Sequence, residues 1–443
     1  MAERMVAERM SYGSAAVCRR ADGKTVFVEG AVPGDTVSVE VTEEKPSFAR
    51  GRAVEVLEPS PQRTVPLCTQ ADVCGGCPWA ALSYEALLEA KRANVVSALV
   101  RTAHIDAGRA EELVGACLPS KRQWGYRNKL EMVSRYDEHG AFELGFFSEG
   151  THDAVMPSTC PVAHKCIERA PKALRGALRF AQGAQDLGIF RVGVRGSVRT
   201  HDVEVALWTP PSAFPRTHVG KLVQSALRAT SVVRVLAEPG KERRIKGVER
   251  LDGNGFWAED LAGLRFTATA PSFFQVNTAQ AEKLVACVVE GLGGEYALSG
   301  AYVADLYAGA GAFSIPLALA GADVVAVESA GSSVRDLRRN AERNGADIEV
   351  VGGDAARELP DLGELDALVV DPPRAGLAEG VVESIADAAP ERVAYVSCDA
   401  ATWARDVARF EACGYKLQRA VPVDMFPQTY HVETVSLLSR AKR

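Results

Sequence analysis

The stretch from Tyr302 to Leu317, YVADLYAGAGAFSIPL, limits the fold of this chain more than any other. Tyr302 to Tyr307 reads as a buried strand. Ala308-Gly309-Ala310-Gly311 reads as a tight turn, and Phe313 onward opens a helix. A Gly-x-Gly pair carries weight only between a strand and a helix, and that is its setting here. A second strand, Asp323 to Glu328, and a third, Ile348 to Val351, follow at the spacing of βα units. Such units build a parallel sheet, and in open α/β sheets ligands bind beyond the carboxyl ends of the strands.

Each of these strands leads to an acid. Glu328 ends the second strand about 20 residues past the turn, where a carboxylate accepts the hydroxyls of a ribose. Gly352-Gly353-Asp354 follows the third, and Asp354 is placed to hold an adenine amino group. Ser314 stands where a dinucleotide loop would carry a further glycine. A cofactor with one nucleoside, S-adenosylmethionine, therefore fits better than a nicotinamide dinucleotide, which is the alternative.

Three further strand ends carry reactive groups. Val393-Ala-Tyr-Val-Ser runs into Cys398, Ala367 to Val370 runs into Asp371-Pro-Pro-Arg374, and Glu433 opens a late strand after His431. Taken singly, each has a plain structural reading. A cysteine after a strand is commonly a small buried hydrophobe, Asp-Pro-Pro is a turn, and a late Glu is a solvated face. Together, behind a nucleoside loop, they make a nucleophile, a group that reads a base edge and a general base.

The N-terminus reads differently. Val26-Phe-Val, Val37-Ser-Val-Glu-Val and Arg52-Ala-Val-Glu-Val alternate with period two and are separated by Asp22-Gly23 and Pro33-Gly34-Asp35. They predict a small barrel of OB type, a fold that binds RNA in many proteins. A proline-bearing linker, Pro59 to Pro66, follows. Cys68, Cys74 and Cys77 are spaced C-x5-C-x2-C, and Cys160 precedes Pro161. Three clustered thiolates and a distant fourth suit an iron–sulfur cluster; a structural zinc and plain non-ligand cysteines are the alternatives. An amphipathic helix is expected over about 80–115.

The net charge is −6, which does not by itself point to nucleic acid. The middle is basic: 165–199 holds eight Lys/Arg against two acids, and 216–250 holds nine against three. That suggests a local polyanion surface, or else two solvated helix faces. Gly125-Tyr126-Arg127-Asn128-Lys129 places cations beside an aromatic that could stack on a base. Pro271-Ser-Phe273-Phe274-Gln275-Val-Asn277 reads either as a base-stacking loop or as core plus helix cap. No apolar run has the length of a membrane span and the N-terminus has no apolar signal segment, so a cytoplasmic protein is expected.

These motifs resemble the RNA uracil-5-methyltransferases, and within them the branch with a TRAM domain and an iron–sulfur cluster that acts on large-subunit ribosomal RNA. The resemblance covers nearly the whole chain. It rests on the four cysteines, Ser272 to Asn277, Asp305-Leu-Tyr307 with Gly309 and Gly311, Asp371 to Arg374, Ser397-Cys398-Asp399 and His431-Val-Glu433. It implies a TRAM barrel over 1–58, a central α+β iron–sulfur and RNA-binding domain over 59–267, and a class I, Rossmann-like α/β methyltransferase domain over 268–443. It further implies Cys398 as nucleophile and Glu433 as base. Gln275, Tyr307, Glu328, Asp354 and Asp371 are placed at S-adenosylmethionine, and Cys68, Cys74, Cys77 and Cys160 at a 4Fe-4S cluster. The implied partner is RNA, ribosomal before transfer RNA, and not DNA; no membrane is expected from the sequence, and a monomer is the default because the sequence does not encode the oligomeric state legibly. One departure is visible: Ala308 stands where family loops often carry a cysteine.

Two rivals remain on the sequence. A cytosine-5-methyltransferase shares the thiol addition, but its nucleophile usually follows a proline, whereas Ser397 precedes Cys398. A non-catalytic RNA-binding scaffold would not need Cys398, Glu433 and the cofactor acids.

Overall fold

The computed structural model describes residues 2–151, 153–183, 185–240 and 244–441. Five strands, β1 (Glu3–Met10), β2 (Ala16–Arg19), β3 (Thr25–Glu29), β4 (Thr36–Glu44) and β5 (Phe48–Glu58), close a barrel in the order β1-β2-β3-β5-β4. Alternation along β1 and β3 turns Met5, Ala7, Val26 and Val28 inward. Gly51 is required in β5, because a Cβ there would lie 2.7 Å from the carbonyl oxygen of Glu40.

The middle holds a seven-stranded sheet. Its strands are β6 (Lys129–Tyr136), β7 (Phe142–Phe147), β8 (Ala154–Val155), β9 (Arg191–Gly196), β10 (Val203–Thr209), β11 (Ser231–Leu236) and β12 (Gly247–Gly253), in the order β12-β11-β10-β9-β6-β7-β8. Helices Ala170–Gln182 and Arg216–Leu227 pack on it through Leu174, Leu178, Val219 and Val223. Part of the basic count of this region is taken up by acidic partners. Arg175 and Arg179 pair with Glu143, Arg191 with Glu131, Arg195 with Glu204, Arg199 with Glu282, and Arg216 and Arg234 with Glu249. Lys241, Glu242 and Arg243, which entered that count, lie outside the described residues.

A hairpin of β13 (Trp257–Leu261) and β14 (Leu264–Ala268) leads to the third unit. Its strands are β15 (Tyr302–Leu306), β16 (Asp323–Glu328), β17 (Ile348–Gly352), β18 (Ala367–Val370), β19 (Arg392–Ser397), β20 (Tyr415–Val423) and β21 (Glu433–Arg440). They run in the order β17-β16-β15-β18-β19-β21-β20, and β21 is antiparallel to both neighbours. The parallel strands are apolar almost throughout because both faces are covered. One face takes Trp403, Val407 and Phe410 of helix Ala400–Ala412 together with Val95 and Leu99 of helix Tyr84–Arg101. The other takes Leu284 and Val288 of helix Thr278–Gly291 and Phe266 of the hairpin. The expected amphipathic helix is thus helix Tyr84–Arg101, capped by Ser83, and it lies on the methyltransferase sheet. Among the described residues no helix is long and apolar enough to cross a membrane.

One buried ion pair ties this helix to the far end of the chain. Lys91 and Asp424 are both fully buried, with Nζ 2.5 Å from Oδ1. Tyr84 donates to the other carboxylate oxygen at 2.7 Å, and Lys91 also reaches the Phe426 carbonyl at 3.0 Å. With its donors and acceptors so satisfied, the pair holds the turn that leads into β21. Removing the cation alone leaves a buried carboxylate uncompensated, which costs about 3–5 kcal/mol. Lys91→Met is therefore expected to lower the urea midpoint strongly, and adding Asp424→Asn to restore part of the loss; equal midpoints for wild type and Lys91→Met would refute this role.

Candidate active site

The site forms where the carboxyl ends of β15, β16, β18 and β19 meet the start of β21. In β19 and β21 the last paired residues are Ser397 and Thr434. One step further along the antiparallel register lie Cys398 and Glu433. Leu306 and Val370 are likewise paired across β15 and β18, so Tyr307 and Asp371 emerge side by side. The Asp371 amide donates to the Leu306 carbonyl at 3.3 Å and holds that exit.

The electrostatics of this edge are dominated by buried acids. Glu433 is 5% exposed and burial pushes its carboxyl up to about 7, against the pull of Arg374. Asp371 is raised well above the usual carboxylate range by burial, then by Glu433 and Asp305. Cys398 is half-buried, and burial, Glu433 and Asp371 push its thiol up to about 12, with Arg374 opposing. The thiol therefore feels the charge of both carboxylates and of one guanidinium. Arg374 lies 3.4 Å from the His431 ring, whose pKa falls to about 4 through burial first and Arg374 second. Sequence reasoning quoted Arg374 and His431 as motif members without a role. Their signal was their place beside Asp371 and Glu433.

The cofactor loop has the shape a bound nucleoside needs. Tyr307 has a φ of 65° and Gly309 one of 57°, and a Cβ on Gly309 would meet nothing within 4 Å. The open space there is where a ligand can approach the backbone. Gly311 is required for packing instead, since its Cβ would lie 2.5 Å from Leu337. Glu328 accepts from Gly309 N at 2.9 Å and from Ala330 N at 2.6 Å, which aims its carboxylate along the loop. Asp354 is exposed after β17 and caps helix Ala355–Glu358. Asp305 is fully buried, takes the Ser314 hydroxyl at 2.5 Å, and is raised to about 7 by burial. Its Oδ1 has no hydrogen-bond partner among the described residues, an orphan acceptor beneath the loop. Gln275 sits on the loop before helix Thr278–Gly291, fixed by Asn128 donating to its carbonyl at 2.9 Å.

Two aromatic expectations change. Tyr126 is 3% exposed and donates to the Pro427 carbonyl at 3.1 Å, so it is a core prop and not a stacking surface. Phe274 is buried against Trp257 and Phe266, while its neighbour Phe273 is 59% exposed.

Cys68, Cys74, Cys77 and Cys160 are all half-buried free thiols. The charges of Cys160, Cys74 and Cys68 each raise Cys77, after burial, and Cys74 and Cys68 raise Cys160, which reaches about 11. These mutual effects tie Cys68, Cys74 and Cys160 electrostatically to Cys77. Gly75 donates to the Phe147 carbonyl at 3.1 Å, and a Cβ there would press on the Glu149 backbone at 3.2 Å. Among the described residues no group of three or more His, Cys, Asp or Glu is drawn in to hold a single metal ion. Four thiols are the donor type that iron–sulfur clusters take.

The comparisons decide the family. Residues 358–441 match the model of tRNA (uracil-5-)-methyltransferases, 11–54 that of the TRAM domain, and 288–395 that of the methyltransferase small domain. An uncharacterized RNA methyltransferase of Thermosynechococcus vestitus is 36% identical over 430 residues, covering 94% of this chain and 93% of that protein. The chain belongs to the RNA (uracil-5-)-methyltransferase family. A Shewanella halifaxensis relative named 23S rRNA (uracil(1939)-C(5))-methyltransferase is 30% identical over 94% of this chain and 91% of its own length. The crystal structure of Pyrococcus abyssi tRNA (uracil-54, C5)-methyltransferase with S-adenosyl-L-homocysteine superposes with a TM-score of 0.74 at 25% identity, covering 98% and 99% of the two chains. As a family member the protein is an S-adenosylmethionine-dependent RNA methyltransferase with an N-terminal TRAM barrel.

The buried acids set a pH signature. Glu433 is ordinarily near 4.5 and stands at about 7 in the folded chain. The stability this proton allows is full below the unfolded value and is lost as pH rises through about 7. Glu433→Gln is accordingly expected to raise the melting temperature at pH 8 relative to wild type and to change it little at pH 4. The same difference at both pH values would contradict the assignment.

Proposed function

We propose that this enzyme methylates carbon-5 of a uridine in ribosomal RNA through a covalent adduct on Cys398. The observation that carries the reading is the strand-end convergence of one thiol with Glu433, Asp371 and Arg374 beside the open Gly309 loop.

Carbon-5 of uracil is a weak nucleophile. Once the Cys398 proton has passed to solvent, addition of the thiolate Sγ to carbon-6 turns carbon-5 into an enolate carbon. Arg374 favours the thiolate, while burial and then the carboxylates keep the resting thiol protonated. S-adenosylmethionine supplies the methyl as an electrophilic sulfonium substituent. Carbon-5 then carries both the methyl and its hydrogen. Glu433 removes that proton, the carbon–carbon double bond returns, and the sulfur–carbon bond breaks to release the thiolate. A base near 7 suits that step at neutral pH. Asp371 or Gln275 hydrogen-bonds the imide edge and disfavours cytosine. The target base must leave its stack to reach the site, and the exposed Phe273 is the aromatic free to stack in its place. Glu328 holds the ribose of the cofactor, Tyr307 lies along it, and Asp354 lies near the adenine.

Cys68, Cys74, Cys77 and Cys160 hold the 4Fe-4S cluster in this reading. The methylation chemistry moves no electron, so the cluster's contribution is to shape and orient the RNA-binding surface. The ribosomal target rests on the TRAM barrel, the cysteine set and the Shewanella relative's activity. Transfer RNA is the second reading, and the Pyrococcus superposition favours it.

Cys398→Ala is expected to abolish methyl transfer while still binding S-adenosylhomocysteine; wild-type turnover would refute the nucleophile. Glu433→Gln should trap an RNA–protein adduct that survives a denaturing gel, and its absence with methyl transfer intact would remove Glu433 as base. Anaerobically purified protein should be brown and Cys74→Ser bleached; a colourless wild type with stoichiometric zinc would end the cluster reading. Mapping 5-methyluridine in RNA from a deletion strain decides between ribosomal and transfer RNA.

A further inference from the structure

The barrel reaches into the active site at one point. The connection between β1 and β2, Ser11 to Ala15, is closed by the Ser11 amide and hydroxyl on the Ala15 carbonyl, at 3.0 and 2.6 Å. Two outside donors hold it: Asn94 Nδ2 on the Ser11 carbonyl at 3.2 Å and Trp79 Nε1 on the Gly13 carbonyl at 2.9 Å. Tyr12, at its tip, leaves the barrel and packs at the edge of the methyltransferase core. Its ring meets Tyr430 edge-on at 6.0 Å, and Tyr430 in turn packs on His431 at 4.2 Å.

The Tyr12 hydroxyl is used twice. It donates to Asp399 Oδ2 at 3.3 Å and accepts from the Ala400 amide at 3.0 Å. Asp399 uses its other oxygen to cap helix Ala400–Ala412, accepting from Ala401 N at 3.1 Å and Thr402 N at 3.0 Å. The first turn of that helix is therefore satisfied by one carboxylate and one phenol. Cys398 is the residue immediately before this cap. Its position between the end of β19 and the helix depends on both contacts.

We propose that Tyr12 is a positioning residue for the Cys398 thiol, acting through Asp399 and the Ala400 amide, so that the N-terminal barrel completes the active site and does not serve RNA binding alone. Without the hydroxyl, the Ala400 amide loses its acceptor, and the Cys398–Ala400 turn is free to shift. A shift of a fraction of an ångström is enough to spoil the approach of sulfur to carbon-6. The inference rests on Cys398 being the nucleophile.

The test uses the full-length Tyr12→Phe variant, which keeps the ring and removes only the oxygen. Methyl transfer is followed with tritiated S-adenosylmethionine on a ribosomal RNA fragment, and rates are normalised to the fraction of protein that binds S-adenosylhomocysteine. That normalisation keeps the comparison valid if some of the variant is unfolded. The expected result is a fall in kcat of about tenfold, from the loss of the two hydrogen bonds that hold the turn after Cys398, with KM for RNA and for S-adenosylmethionine within about twofold. An unchanged kcat, or a raised RNA KM at unchanged kcat, overturns the proposal. Cys398→Ala is assayed alongside. Activity in that variant sinks the nucleophile reading whatever Tyr12→Phe does. A dead Cys398→Ala with a wild-type Tyr12→Phe sinks only the role given to Tyr12.

Discussion

The antiparallel pairing of β19 with β21 is the constraint on which the rest of the site depends. β21 enters the sheet against the direction of its neighbours, so its first residue, Glu433, lies one step beyond the last pair, opposite Cys398. A slip of one residue would turn the whole side-chain set over and carry Glu433 to the other face. Ser397 and Thr434 fix the last pair, and the thiol and carboxylate follow from them. The parallel strands beside them bring Asp371 and the glycine loop to the same edge. The chemistry is a property of strand ends, and the sheet behind them is apolar so that those ends do not move.

The register needs a fixed entry for β21, and the turn from Asp424 to His431 supplies it. That turn is held from several parts of the chain. Lys91 and Tyr84 bind the Asp424 carboxylate, Asn277 donates to the Met425 carbonyl, Tyr126 to that of Pro427, and the Trp79 amide to that of Gln428. Trp79 stands two residues past Cys77 and its ring packs on Tyr430 at 6.4 Å. The cysteine loop is thereby joined to the wall of the active site. A cluster that stiffens this loop would stiffen the entry to β21 as well. The buried acids work the other way. Asp305, Asp371 and Glu433 sit where burial disfavours their charge, so the site is held in place by its surroundings and not by its own stability.

Local pattern explains what was legible in the sequence. The glycine turn, the apolar strands and the residues that end them are encoded within a few positions, and the structure brings Cys398, Glu433 and Asp371 to one edge as those patterns imply. Long-range pairing was not legible. Lys91 and Asp424 are 333 positions apart, and nothing near either residue marks its partner. Tyr12 looks like an ordinary turn residue until the barrel is docked 388 positions from Ala400. Charge counting in windows overstated the basic middle, because acids such as Glu131, Glu143 and Glu282 lie outside the windows and neutralise part of it. Tyr126 and Phe274 showed how an aromatic beside cations or amides can belong to the core.

The central claim is that sulfur of Cys398 becomes bonded to carbon-6 of a uracil. RNA carrying 5-fluorouridine at the target position cannot lose the carbon-5 substituent as a proton, so the adduct should accumulate after methyl transfer. Digestion of that complex and tandem mass spectrometry should find the methylated 5-fluorouracil nucleotide on the peptide containing Cys398. Methyl transfer to native RNA with no modified Cys398 peptide, or with the nucleotide on another cysteine, would contradict the account.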